Sequence, residues 1–177
     1  MNVPKRENFA LSKAKIVNGG LEAEYELTEI VGDDPCTTGY KITNSRLPHP
    51  DLPALFQKLR GIVGRVMGVT AVLEHLQSEQ YPAMSGVEKF LDGVCEQYDV
   101  RGISWSGSGA KEAVIISSVF TTASGLKCAV NTPRLPLNSE TFGFEEELSE
   151  IIGRIKDEVF AYLFEGKQAQ LSLFGQE

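Results

Sequence analysis

The residue types that most often carry chemistry are sparse in this chain and do not converge in sequence. There are two histidines, His49 and His75. His49 sits in Pro48-His49-Pro50 and His75 near the end of an apolar run, and neither has a Cys or His neighbour at metal-ligand spacing. The three cysteines, Cys36, Cys95 and Cys128, are odd in number and far apart, a pattern of free thiols in a reducing compartment. Cys128 lies on an alternating stretch with no base partner beside it and reads as core. Ser104-Trp105-Ser106-Gly107-Ser108-Gly109 is rich in hydroxyls and glycines. It lacks the Gly-Lys-Ser/Thr ending of a phosphate-binding loop and the strand-to-helix setting of a nucleophile elbow, so 107–109 reads as a hairpin turn and Trp105 as a core residue. Glu22, Glu24 and Glu26 alternate with apolar residues, which makes them a solvated sheet face rather than a converging ligand set. The Asp33-Asp34 pair before Pro35 marks a turn, and Glu145-Glu146-Glu147 suits the first turn of a helix, where carboxylates meet the positive end of the dipole. No catalytic, cofactor-binding or metal site is expected.

One run near the C-terminus has the composition of a binding peptide. Gln170, Leu171, Ser172, Leu173 and Phe174 follow an amphipathic helix and the stop signal Gly166. A Gln side chain both donates and accepts hydrogen bonds. Leu171, Leu173 and Phe174 can fill a concave apolar site, where a few anchors carry most of the binding energy. The run resembles the peptide by which bacterial replication and repair proteins dock on the β sliding clamp, Gln-Leu-Ser/Asp-Leu-Phe, at all five positions. A pattern of this kind arises by chance at roughly one position in 10⁵ to 10⁶. The resemblance implies a partner, the clamp, and no activity. Ordering such a tail opposes binding, so the isolated peptide should bind in roughly the micromolar range. The alternative is that the three apolar residues fold back onto the domain as a last β segment.

Composition sets the frame. The chain has 177 residues, 42% hydrophobic and 23% charged, enough for one domain with its own core. No run approaches the ~20 apolar residues of a membrane span, and the first residues carry no apolar signal segment, so a cytoplasmic protein is expected. The formal charge of −7 disfavours non-specific nucleic-acid binding, which depends on neutralising phosphates.

The elements that must hold the tail follow an internal echo. Residues 1–12 read as an irregular arm. Strands are expected over 14–17, 21–27 and 38–43, followed by a helix with Leu52, Leu55, Phe56, Leu59, Ile62, Val63 and Val66 on one stripe. Asp51 is expected to be its N-cap. A connector leads to a short helix with Val87, Phe90, Leu91, Val94 and Tyr98 on one side. Strands over 103–106, 113–120 and 126–131 then precede a helix whose buried stripe is Leu148, Ile151, Ile152, Ile155, Val159 and Leu163. Arg46-Leu47-Pro48 is echoed by Arg134-Leu135-Pro136, and Ile62-Val63-Gly64-Arg65 by Ile151-Ile152-Gly153-Arg154. A β-β-β-α unit used twice is therefore expected: repeat 1 over about 13–76, a connector over 77–98, repeat 2 over about 99–166, and a docking tail over 167–177. The fold class is α+β, an antiparallel sheet with two long helices on one face. In outline this is similar to TBP-like saddles, an analogy of architecture alone. Gly64 and Gly153 each cost about 1 kcal/mol relative to Ala in a helix, which a close helix crossing would explain.

Three functions follow as expectations. The first is a non-enzymatic accessory or regulatory protein of DNA replication or repair, of phage, prophage or plasmid origin, docked on the host clamp by its tail. The second is a nucleic-acid-binding module using the open sheet face. A basic or aromatic stripe there would support it, and an acidic face with Glu22, Glu24 and Glu26 would count against it. The third is an enzyme whose site is assembled from loops, with Arg46, Arg134 or the histidines facing carboxylates in one pocket.

Overall fold

A computed structural model describes residues 3–32, 34–68, 93–138 and 143–169. The chain forms an antiparallel seven-stranded sheet with helices packed on one face, an α+β fold. The strands are β1 (Phe9–Val17), β2 (Gly20–Val31), β3 (Asp34–Asn44), β4 (Tyr98–Ser106), β5 (Ala113–Thr121), β6 (Lys127–Asn131) and the short β7 (Leu135–Pro136). Their order across the sheet is β3-β2-β1-β4-β5-β6, with β7 also on β5. This order reads the same from either edge when β1 is matched with β4, β2 with β5 and β3 with β6.

Alternation decides which side of each strand meets the helices. On β2, Leu21, Ala23, Tyr25 and Leu27 are buried and the three glutamates between them face away. On β5, Val114, Ile116 and Ser118 are buried. The helices are α1 (Asp51–Lys58), α2 (Arg60–Val66) and α3 (Glu145–Phe160), the last continuing into a π-helical turn at Ala161–Glu165. The helix expected over 52–66 is thus broken at Leu59, although Val63 N–H still donates to Leu59 O at 2.9 Å. Leu52, Phe56, Leu59 and Ile62 from α1–α2 meet Leu148, Ile152, Ile155 and Val159 from α3 in one core over the sheet. Each such side chain contributes about 1.5–3 kcal/mol when fully buried.

Several expectations are corrected. Residues 9–12 belong to β1 and are not an irregular arm. A bulge between Leu11 and Lys13 shifts the register there and breaks the alternation that would have revealed the strand. Tyr98 is the first residue of β4, opposite Phe120, and not a helical residue. Cys128 is exposed, because β6 is an edge strand. Leu135–Pro136 forms β7, where a lead-in to the helix was expected. Asp51 is the first residue of α1 and not its N-cap, a place that Pro50 takes with no side-chain cap hydrogen bond. The β2–β3 hairpin also runs further than expected. Residues 28–31 pair only with β3, so 28–31 and 34–37 form a two-stranded ribbon that leaves Ile30 and Val31 exposed at its tip.

The two echoed glycines do not share an environment. Gly64 is buried, and a Cβ on it would lie 2.5 Å from Cys95 Sγ. Gly153 is exposed, with nothing within 4 Å of such a Cβ. Neither position is a crossing of the two long helices. The echoed Arg-Leu-Pro segments differ as well, since Leu47 is exposed and Leu135 buried. The strand order is palindromic and Ile62-Val63 and Ile151-Ile152 are alike buried, but Gly64 and Gly153, and Leu47 and Leu135, differ in environment, so the expected internal duplication is not shown.

Candidate functional site

The end of α3 is held by an aromatic cluster. Phe9 on β1 meets Phe160 edge-on at 5.4 Å between ring centroids and Phe164 at 5.9 Å, and Tyr25 on β2 meets Phe164 at 5.7 Å. Edge-to-face pairs of this kind add about 0.5–1.5 kcal/mol each beyond their burial. Arg6, just ahead of β1, donates to Asp157 Oδ1 at 2.6 Å and Glu165 Oε1 at 3.0 Å. The helix stops at Gly166, whose φ of 74° is in the left-handed region that a glycine enters without strain. The N–H groups of Gly166 and Lys167 both turn back to Ala161 O.

Residues 167–169 are pinned to the loop ahead of α1. Lys167 Nζ lies 2.7 Å from Glu158 Oε1 and 2.9 Å from Asp51 Oδ2. These partners, Glu158 first, raise the Lys167 ammonium above its ordinary pKa, and Lys167 in turn holds the Asp51 carboxyl below the usual carboxylate range. His49 Nδ1 stands 3.0 Å from the same Asp51 oxygen. Gln168 bridges Pro48, Ala169 N–H donates to Leu47 O at 3.1 Å, and Tyr162 O–H donates to Arg46 O at 2.7 Å. A hollow of about 420 Å³ lies here, lined by Ser45, Arg46, Leu47, Gln168 and Ala169. Gln170, Leu171, Ser172, Leu173 and Phe174 lie outside the described residues. The anchored chain therefore reaches the residue immediately before the motif.

The other expected residues that the structure describes are divided between the tail root and the β4–β5 connection. His49 pairs with Asp51 at the tail root, and His75 lies outside the described residues. Among the described residues that line Arg46's hollow there is no carboxylate. Arg134 sits at the β4–β5 connection, where it donates to Lys111 O at 2.8 Å. Among the described residues no group of three His, Cys, Asp or Glu side chains could hold a metal ion. Glu145, Glu146 and Glu147 occupy the first turn of α3, as expected. Trp105 packs against the core from the helix side, with Lys156 Nζ 5.7 Å from its ring centre, and offers no stacking surface on the open face.

The open sheet face is mixed in charge. Glu24 is shared by Lys41 Nζ at 2.9 Å and Lys13 Nζ at 3.3 Å, which hold its carboxyl below the ordinary range. Beyond β1 lies a groove of about 380 Å³ across β1, β4, β5 and β6, whose lining includes Lys13, Lys15 and Arg101. No sequence signal pointed to it, since Lys15 and Arg101 are 86 positions apart and meet only through the pairing of β1 with β4. Among the described residues no helix is long and apolar enough to cross a membrane. No protein-family model, no curated protein and no solved structure matches the chain.

Proposed function

We propose that the chain is a non-enzymatic accessory or regulatory protein of DNA replication or repair that docks on the bacterial β sliding clamp through residues 170–174. The observation that carries this reading is the five-position match of Gln170, Leu171, Ser172, Leu173 and Phe174 to the clamp-docking peptide. The tail root supports it. Lys167, Gln168 and Ala169 are each tied to the body, so the residue ahead of the motif has a defined place beside the loop before α1. A fixed root would set the position of the domain relative to its partner without using any motif side chain. The clamp is a ring with several equivalent sites, so one ring can hold the protein at one site and another factor at the next.

A competition experiment tests the reading. A synthetic peptide spanning 169–177 displaces the whole protein from the clamp of its own host, and a peptide with Leu173→Ala and Phe174→Ala does not. If the unaltered peptide fails to compete with a clamp-bound protein, contact is made by another surface and the motif reading is wrong.

A further inference from the structure

The strand register lays two rows of side chains across the open face. One row runs Thr43, Glu22, Lys15, Gly102, Ser117 and Asn131, and the next runs Lys41, Glu24, Lys13, Ser104 and Ile115. Carboxylates occur only on the β2 side of these rows. There two lysines share Glu24, and Glu22 and Glu26 flank it on the same strand face with Glu22 opposite Lys15, so that side is balanced in charge. On the far side of β1 the groove lining contains Lys13, Lys15 and Arg101 with Ser104, Ser117 and Asn131, and, among the described residues, no Asp or Glu. Arg101 gives its Nε to Asp99 Oδ2 at 2.8 Å, which leaves its two terminal amino groups for another acceptor. Lys15 has no ion-pair partner among the described residues and is exposed. Gly102 keeps the floor low beside it, since a Cβ there would lie 3.3 Å from both Ala14 O and Lys15 Cγ. The alternation of the strands puts no aromatic side chain on the described part of this face, so it offers no platform for stacking unpaired bases.

We propose that this groove binds the phosphodiester backbone of duplex DNA, with Lys13, Lys15 and Arg101 as the phosphate contacts and Ser104, Ser117 and Asn131 as neutral hydrogen-bonding groups. The phosphate chemistry is read from the groove alone. The choice of duplex DNA rests on the clamp reading, because a clamp-docked protein is held beside newly replicated DNA. The net charge of −7 works against binding from free solution. Tethering offsets this, since a short link supplies an effective concentration on the order of millimolar. The site thus suits a protein that holds DNA weakly from free solution at low salt and more fully once it has been delivered there.

The test uses the isolated full chain, without clamp, and a labelled short duplex followed by fluorescence anisotropy. With three phosphate contacts the affinity falls about 40-fold between about 50 and about 200 mM salt. Lys15→Glu and Arg101→Glu each weaken binding more than about 10-fold at the lower salt, whereas Lys58→Glu, on the helix side, changes it less than about 2-fold. If either groove variant does not fold by circular dichroism, Ser117→Asp replaces it with the same expected loss. The proposal is overturned by absence of saturable binding at low salt, by equal loss in the Lys58 variant, or by tighter binding to single strands than to duplex. A chain with Gln170→Ala, Leu173→Ala and Phe174→Ala binds duplex normally in this assay. Failure of the clamp reading and failure of the groove are therefore scored separately.

Discussion

Replacing the two echoed glycines one at a time gives changes of opposite sign. Alanine in place of a helical glycine gains about 1 kcal/mol from backbone entropy alone. At Gly153 nothing lies within 4 Å of the new methyl group, so the gain is realised in full. Gly153→Ala therefore raises stability by about 1 kcal/mol, or about 2–4 °C in Tm for a chain of this size. At Gly64 the methyl group would sit 2.5 Å from Cys95 Sγ, more than 1 Å inside ordinary carbon–sulfur contact, and something must move. Overpacking of this kind costs about 1–3 kcal/mol, which exceeds the propensity gain. Gly64→Ala is thus destabilising by about 1 kcal/mol net. Urea unfolding of both variants measures the two signs. The same Gly64 change in a Cys95→Ala background loses its penalty, because the sulfur is gone, and the double-mutant cycle reports a coupling of about 1 kcal/mol or more. Equal stabilisation by both alanines, or no coupling to Cys95, would refute the packing argument and restore a common role for the two glycines.

Two further outcomes follow from the charge pairs and the tail root. Lys41 and then Lys13 lower the Glu24 pKa below its ordinary 4.5, so the stability it contributes is present above pH 4.5 and is lost as pH falls through the lowered value. Glu24→Gln flattens the acid limb of a stability–pH curve, and added salt flattens it in the unaltered chain; an unchanged limb in the variant would show that the pair contributes nothing. Tyr162→Phe removes the hydrogen bond to Arg46 O and costs about 1 kcal/mol. It also speeds amide exchange at Ala169, whose N–H bonds the neighbouring Leu47 O; unaltered exchange there would show that the two contacts are independent.

What was legible in the sequence was whatever local periodicity encodes. Leu21, Ala23, Tyr25 and Leu27 against three glutamates announced one buried and one wet face, and the stripe from Leu148 to Val159 announced α3. The start of β1 was hidden because the bulge after Leu11 reverses the phase of alternation. Residues 34–37 were hidden because a two-stranded ribbon has no core side to pattern. Tyr98 imitates a helical stripe by standing four residues after Val94, yet its ring packs on Phe120 across two strands, 4.9 Å between centroids. The exposure of Cys128 depends on β6 being an edge, which is a fact of strand order and not of local pattern. The candidate sites divide in the same way. The docking motif is contiguous and could be read directly. Its root joins Asp51 to Lys167, 116 positions apart, and the groove exists only because β4 lies beside β1.

The most direct test of the account is the affinity of the intact chain for the β clamp of its own host, measured by calorimetry beside a variant with Gln170→Ala, Leu173→Ala and Phe174→Ala. Docking through the tail gives saturable binding at a Kd in roughly the micromolar range, weakened more than about 100-fold by removal of the three anchors. A correctly folded intact chain that does not bind, or a variant that binds equally well, would contradict the account and leave residues 170–174 without a role in docking.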